Sequence, residues 1–263
     1  MIDIVRENRI IRLPDNFAGY IPDMEKNFDV FFSIVEPEKE NGKLVVDYSQ
    51  PKLHTYQDTG LQFEISGIAE EPPNEYFRWY QPKPDDVIFD LGAYCGVSTW
   101  YFAQFVKQVY AFEPDYESCK CLMRNLRRHH VNNVIVNQMA VAGKDGTVAF
   151  NQEATLGSAI PHCNGRKSFG DTTTVPCTTL SSICNAYVKP NFIKMDIEGA
   201  EVEVLETSIE LLKESNFQLV IANHKPHGKS THSRVGEILK GCGYQIYSEM
   251  LYGEMTTWAK KEM

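Results

Sequence analysis

Six residues stand where this chain could do chemistry: Asp90, Glu113, Lys194, Asp196, Glu198 and His224. Asp90 lies in "VIFDLGA", an apolar run that leads into Gly92 and Gly96 with the spacing D-x-G-x-x-x-G. A carboxylate at the end of a strand can accept hydrogen bonds from an ammonium group or an ordered water. The glycines allow a ligand close to the backbone, and the helix that follows offers unpaired N–H groups. Glu113 comes 23 residues after Asp90, in "VYAFEPD". An acid at that distance can accept both hydroxyls of an adenosine ribose. Pro114 then turns the chain, and Asp115 and Tyr116 are placed to border an adenine. In "IKMDIEGAE", residues 193–201, Lys194 and Asp196 share one face of a strand. Burying such groups is costly unless they are paired or functional. A plainer reading puts Glu198 and Glu201 in the first turn of a helix, where the dipole favours acids, with Lys194 paired to one of them. The segment "ANHK" sets Asn223 and His224 beside Asp196 if their strands are neighbours, and a histidine there could take up a proton near neutral pH.

The elements that must position these groups are legible from residue 87 onward. "VIFDLGA" is a continuous apolar run, the pattern of a strand buried on both faces. The helix "CGVSTWYFAQFV", the strand "VYAFEPD", the helix "YESCKCLMRNLRRHH" and a third strand "NVIVNQMAV" follow. "TVAFNQ" and "TTTVPCTTL" are β-rich and flank a polar insert at 151–176. The α/β order then returns through "NFIKMDI", "AEVEVLETSIELLKES", "FQLVIANHK" and "THSRVGEILKGCG", and "YQIYSEM" with "MTTWAKK" closes as an antiparallel hairpin. Strands alternating with helices predict a doubly wound α/β sheet with right-handed crossovers. The expected fold is Rossmann-like, with seven mostly parallel strands and one antiparallel member. Residues 1–80 read as an irregular N-terminal extension or lid, set off by Pro-rich stretches at 70–74 and 81–86 from a catalytic domain at 81–263.

Composition narrows the function. With 26 basic and 35 acidic groups the 263-residue chain has a formal charge of −9, a field that repels nucleic acid and anionic lipid. The basic run from Arg124 to His130 is expected to be a solvated helix face whose cations suit the helix C-terminus. Seven cysteines fall without a disulfide or zinc framework, as in a reducing compartment. The opening "MIDIVRENRI" lacks a signal-peptide core, and no run approaches a membrane span. A cytoplasmic location is expected, with neither a membrane nor a nucleic-acid partner.

Two adenosine cofactors compete for the glycine turn. A dinucleotide fingerprint is G-x-G-x-x-G, whose middle glycine clears room for pyrophosphate; here Tyr94 holds that position, which disfavours an NAD-dependent oxidoreductase. The other candidate is S-adenosylmethionine (SAM). Taken together, "VIFDLGAYCGVSTW", "FEPD", "NQMAVAGKDGTVAF", "TTLSSI" and "IKMDIEGAEVEVL" resemble the FkbM family of SAM-dependent methyltransferases over about residues 86–206. The K-x-D-x-E-G-A-E block carries most of that resemblance, and Tyr94 stands where the family has asparagine. The resemblance implies cofactor contacts from Asp90, Gly92, Ala93, Tyr94, Gly96, Thr99, Glu113, Pro114, Asp115 and Ala140.

It also implies methyl transfer to a small hydroxylated acceptor such as a sugar, with a catalytically inactive SAM-binding protein as the alternative. The enzyme then has to align an oxygen with the S–CH3 bond and remove the hydroxyl proton. His224 or Asp196 is the candidate base, and Lys194 or Glu198 the candidate positioning group. A magnesium ion on Asp196 and Asn223 would have two ligands where three are wanted, so no metal is assigned. Residues 1–80 and the insert, with Ser158, His162 and Arg166, are expected to choose the acceptor.

Overall fold

The computed structural model describes residues 1–56, 59–67, 73–155, 157–164, 170–251 and 254–262. Its centre is a seven-stranded sheet built from β1 (Val87–Leu91), β2 (Gln108–Phe112), β3 (Val134–Asn137), β4 (Phe192–Met195), β5 (Gln218–Asn223), β6 (Gln245–Leu251) and β7 (Glu254–Lys260). The spatial order is β6-β7-β5-β4-β1-β2-β3. β7 runs antiparallel to both of its neighbours, and the other pairings are parallel. This is the doubly wound arrangement that the alternation of elements predicts. All five residues of β1 are buried, as expected of a central strand covered on both faces. One face packs Phe89, Leu91, Ile193 and Leu219 against Val204, Val235 and Leu239. The other packs Ile88, Val220 and Trp258 against Phe102, which lies in helix α1 (Val97–Ala103).

The register places the charged pair. Lys194 of β4 lies directly opposite Asp90 of β1, so both side chains leave the sheet on one face. The order also reverses at β1: the chain moves outward to β2 and β3, then returns across β1 to β4. Ligands of such sheets bind at the carboxyl ends of the strands at this point.

The third strand is shorter than the sequence suggests. β3 stops at Asn137, where a tight turn bonds Met139 N to the Asn137 carbonyl. Ala140–Val141 leaves the main sheet to pair with Asp171–Thr178, which also pairs antiparallel with Gly146–Gln152. The polar insert is therefore the tip of a β-hairpin. Arg166 lies outside the described residues.

The N-terminal region is more regular than expected. Ile2–Arg6, Arg9–Leu13, Lys43–Asp47 and Glu38–Glu40 form a four-stranded sheet around a core that includes Ile11, Leu13, Phe17, Met24 and Phe28. Its strands hold five residues or fewer, too few for alternation to stand out. The hairpin Lys52–Thr55 with Gln62–Ile65 docks on helix α2 (Tyr116–Arg128). There Asn125 accepts from Glu64 N at 2.7 Å and donates to the Glu64 carbonyl at 2.8 Å. Arg124 pairs with Glu64, and His129 reaches the Gln62 carbonyl. Part of the basic run thus holds the extension instead of facing solvent. Just before the expected boundary at residue 80, Phe77 and Tyr80 pack on Phe102 and Phe192 of the central layer. All seven cysteines are buried and free. Among the described residues no helix is long and apolar enough to cross a membrane.

Candidate functional site

At the switch point the turn after β1 is tied across to β2: Gly92 N and Ala93 N both donate to the Phe112 carbonyl at 3.0 Å. Gly92 has φ +79°, and a Cβ there would sit 1.8 Å from the Asp196 carbonyl oxygen. The residue must be glycine for β1 and β4 to close together. Tyr94 also has positive φ, +48°, a conformation in which asparagine is favoured. Its N–H donates to Glu113 Oε2 at 2.7 Å, so the contact that orders the turn belongs to the backbone. The Tyr94 ring packs with Phe63, Ile65 and Val97, which docks the N-terminal hairpin onto the turn.

Asp90 is fully buried. Its Oδ2 accepts from Ser98 Oγ at 2.9 Å and Thr99 Oγ1 at 2.6 Å, and its Oδ1 lies 3.4 Å from Lys194 Nζ. Lys194 also donates to the Gly92 carbonyl at 2.5 Å and stands 3.6 Å from Asp196. The lysine therefore bridges the two acids that end β1 and follow β4. It does not pair with Glu198 or Glu201, because register sets it beside Asp90. Glu113 accepts from Tyr94 N and Asp115 N, one oxygen each. Burial and the neighbouring Asp115 charge push its carboxyl up to about 8, against those two backbone bonds and the more distant Lys194.

A cleft of about 600 Å3 opens above these groups. Phe112, Pro114, Ala140, Val141, Phe150 and Ile160 give it an apolar slot, and Gly92, Tyr94, Glu113, Asp196 and Glu198 give it a polar end. The slot has the chemistry of a site for a planar base. Each Glu113 oxygen has one backbone donor and keeps a lone pair, so the pair can receive two vicinal hydroxyls. Among the described residues that line the cleft there is no lysine, arginine or histidine. A diphosphate would face these carboxylates, whereas a sulfonium and an ammonium group would be favoured there. The residues present fit SAM better than a dinucleotide.

Five of the expected contacts are not among the lining residues. Asp90 is fully buried, and its carboxylate is taken up by Ser98, Thr99 and Lys194. Ala93 is fully buried. Gly96, φ +87°, starts α1, and a Cβ on it would meet Leu122 at 2.2 Å. Thr99 serves Asp90. Asp115 caps α2 through Glu117 N and Ser118 N, and its other oxygen accepts from Ala154 N and Ser158 Oγ. These five build the cleft from behind. Asp115 also pins the insert, so that Thr155 and Ser158 form part of the wall. Tyr116 is half exposed, with Lys120 over its ring, and does not border the slot. From the N-terminal unit, Asn16 donates to the Glu153 carbonyl and Tyr20 to Thr155 Oγ1, bracing the same wall.

Beyond Asp196 the polypeptide makes a sharp turn, with φ +53° at Glu198 and +105° at Gly199. Glu198 therefore lies outside the helix Glu201–Glu206 and points back toward β5. His224, just past β5, has Nδ1 at 2.7 Å from Glu201 and Nε2 at 3.2 Å from Glu198 and 3.4 Å from Asp196. Burial alone would depress this imidazole; the charges and contacts of Glu198 and Glu201 outweigh it and hold the ring well above its usual range. Asn223 is turned elsewhere, donating to the carbonyls of Ile221 and Met255 and to Thr257. Its amide pins β5 to β7, and it does not join Asp196 as the magnesium reading supposed. A second cleft of about 790 Å3, lined by Asn164, Glu198, His224, Lys225, His227 and Glu254 among others, meets the first at Glu198. His162 faces Glu203 at 3.0 Å and lines neither cleft. Two acids of this region carry no signal in the sequence that marks them as site residues. Glu201 is fully buried, and its partnership with His224 is hidden behind its position in a helix's first turn. Glu254 opens the last strand, where nothing local marks it.

A family model described as "Methyltransferase FkbM domain" matches residues 90–246. The curated hexuronic acid methyltransferase AglP of Haloferax volcanii is 26% identical over 144 residues, which is 53% of this chain and 57% of that protein. The crystal structure of methyltransferase FkbM from Methylobacillus flagellatus KT aligns with TM-score 0.53 and 18% identity, over 93% of this chain and 61% of that one. This chain thus spans less than two thirds of the length of either relative.

Proposed function

The chain belongs to the FkbM methyltransferase family, and we propose that it transfers a methyl group from SAM to a hydroxyl oxygen of a sugar or similar small metabolite. The observation that carries this reading is the first cleft, an apolar slot that ends at Glu113 and is lined, among the described residues, by acids and no cation. SAM supplies a methyl group on a cationic sulfur. The C–S bond breaks with its electron pair going to sulfur, the O–C bond forms, and the hydroxyl proton passes to a carboxylate.

Asp196 is the base in this reading. It lines the first cleft and lies 3.4 Å from His224, which lines the second. His224 is held well above its usual range by Glu198 and Glu201 against the effect of its burial, and it touches both Asp196 and Glu198, so its part is to position them. Lys194 holds Asp196 from the other side and fixes it relative to the glycine turn. Glu113 would hold the adenosine hydroxyls and so fix the cofactor's orientation in the slot. Exposed Lys225 and His227 on that cleft suit an acceptor that bears a carboxylate, in keeping with the hexuronic acid named for the Haloferax relative. Incubation with methyl-labelled SAM and a panel of uronic acid and neutral hexose glycosides should label the former. Asp196→Asn should abolish labelling while the protein still binds S-adenosylhomocysteine. Labelling that survives Asp196→Asn removes the base from this reading, and failure to label any hydroxylated acceptor removes the reading itself.

A further inference from the structure

Asp196, Glu198, His224 and Glu254 converge where the two clefts meet, and the mechanism above assigns Glu254 no part. His224 Nε2 lies 3.2 Å from Glu198 Oε1, 3.4 Å from Asp196 Oδ1 and 3.4 Å from Glu254 Oε2. One ring nitrogen donates at most one hydrogen, so it cannot satisfy three carboxylates. Each distance also exceeds the roughly 2.7–2.9 Å of a well-made charge-assisted bond. The imidazole is nine-tenths buried, and its other nitrogen is fixed at 2.7 Å by the fully buried Glu201. A buried ring with one nitrogen held by a carboxylate and the other aimed into a group of oxygens is how proteins orient a histidine that ligates metal. The ligand atoms of Asp196, Glu198 and His224 all lie within 4.8 Å of one another, a spacing that small side-chain rotations bring around one ion at about 2.0–2.2 Å. The Glu254 side chain, about half exposed, supplies a fourth oxygen from the solvent side.

We propose that Asp196, Glu198, His224 and Glu254 bind a divalent first-row metal ion, and that the acceptor hydroxyl completes its coordination from the second cleft. The donor set favours Mn2+ over Mg2+, since one imidazole replaces an oxygen and Mg2+ sheds water reluctantly. The metal site stands on the geometry alone. Its use in holding the acceptor oxygen and easing loss of the proton to Asp196 rests on the methyltransferase reading.

The test is a titration of the chelator-treated 263-residue chain with Mn2+, followed by calorimetry and by the electron paramagnetic resonance of the ion, with S-adenosylhomocysteine titrated in parallel. The expected result is one Mn2+ per chain at micromolar affinity, with nitrogen hyperfine coupling that disappears in His224→Gln. Glu254→Gln and Glu198→Gln should each weaken binding by at least about tenfold. Glu254 is exposed enough for its variant to fold, which a melting curve checks. No binding below millimolar Mn2+, or unchanged affinity in both glutamine variants, overturns the site. Loss of Mn2+ binding with S-adenosylhomocysteine still bound refutes the metal alone. Mn2+ bound without S-adenosylhomocysteine refutes the cofactor reading and leaves the metal site standing.

Discussion

Glu113 gives the sharpest prediction, because its ionisation is coupled to the ligand. Burial and the Asp115 charge raise its carboxyl to about 8, so at pH 6.5 most of the ligand-free protein carries the proton. Ribose hydroxyls donate, and they favour the ionised form. Binding at pH 6.5 must first remove a proton across one and a half pH units, which costs about 2 kcal/mol. Affinity for an adenosine ligand should therefore rise about tenfold per pH unit up to pH 8 and then level, about 30-fold in all. 5′-Methylthioadenosine suits the assay, since it carries no group that titrates in this range. In Glu113→Gln the amide NH2 must face either Tyr94 N or Asp115 N, now 2.7 and 2.8 Å from carboxylate oxygens, and two donors then oppose each other. Losing one charged hydrogen bond is worth about 1.5–3 kcal/mol, so affinity should fall by ten- to a hundredfold and the pH dependence should vanish. Calorimetric titrations between pH 6.5 and 9 on both proteins read this directly. Affinity that is flat or declines with pH, or a glutamine variant that binds like wild type, would refute the assignment of Glu113 to the ribose.

Three further outcomes follow from particular contacts. His54 is fully buried, neither ring nitrogen has a hydrogen-bond partner among the described residues, and burial lowers its pKa to about 4. The fold keeps it neutral while the unfolded chain protonates near 6.5, so stability is lost as pH falls from 6.5 toward 4, by about 3 kcal/mol; denaturant melts across this range should show a loss that His54→Leu removes. Gly92→Ala puts a Cβ 1.8 Å from the Asp196 carbonyl at φ +79°, which should cost at least about 2 kcal/mol in a thermal melt and abolish S-adenosylhomocysteine binding. Tyr94→Asn keeps a residue suited to its φ and keeps the N–H to Glu113, but strips a buried ring from Phe63 and Ile65. It should lower stability by about 3 kcal/mol with little change in ligand affinity, and a large loss of affinity would instead make the ring part of the ligand site.

The parts of this molecule that were legible in its sequence are those where one strand or helix carries its own signal. β1 reads as buried on both faces because every residue is apolar except Asp90, which pairs with Lys194, and the distances from Asp90 to Glu113 and to Lys194 fall on strand ends. The closing hairpin is equally plain from "YQIYSEM" and "MTTWAKK". What stayed hidden depends on contacts between distant segments. Nothing in "FEPD" tells that Glu113 faces the cleft while Asp115, two residues on, turns back to cap α2 and hold Ser158. Tyr94 at a glycine position reads as an obstruction until Phe63 and Ile65 are seen around its ring. His224 reads as a base by its unperturbed pKa, and only its packing against Glu198 and Glu201 raises it well above that value. The N-terminal sheet escaped notice because its strands are too short for periodicity to rise above the turns between them.

The central claim is that the cleft between β1, β2 and β4 holds S-adenosylmethionine, and calorimetric titration with S-adenosylhomocysteine, with NAD alongside, tests it most directly. One site per chain at micromolar affinity, with no heat from NAD, is the predicted result. Binding of NAD in place of S-adenosylhomocysteine, or of neither, would contradict it.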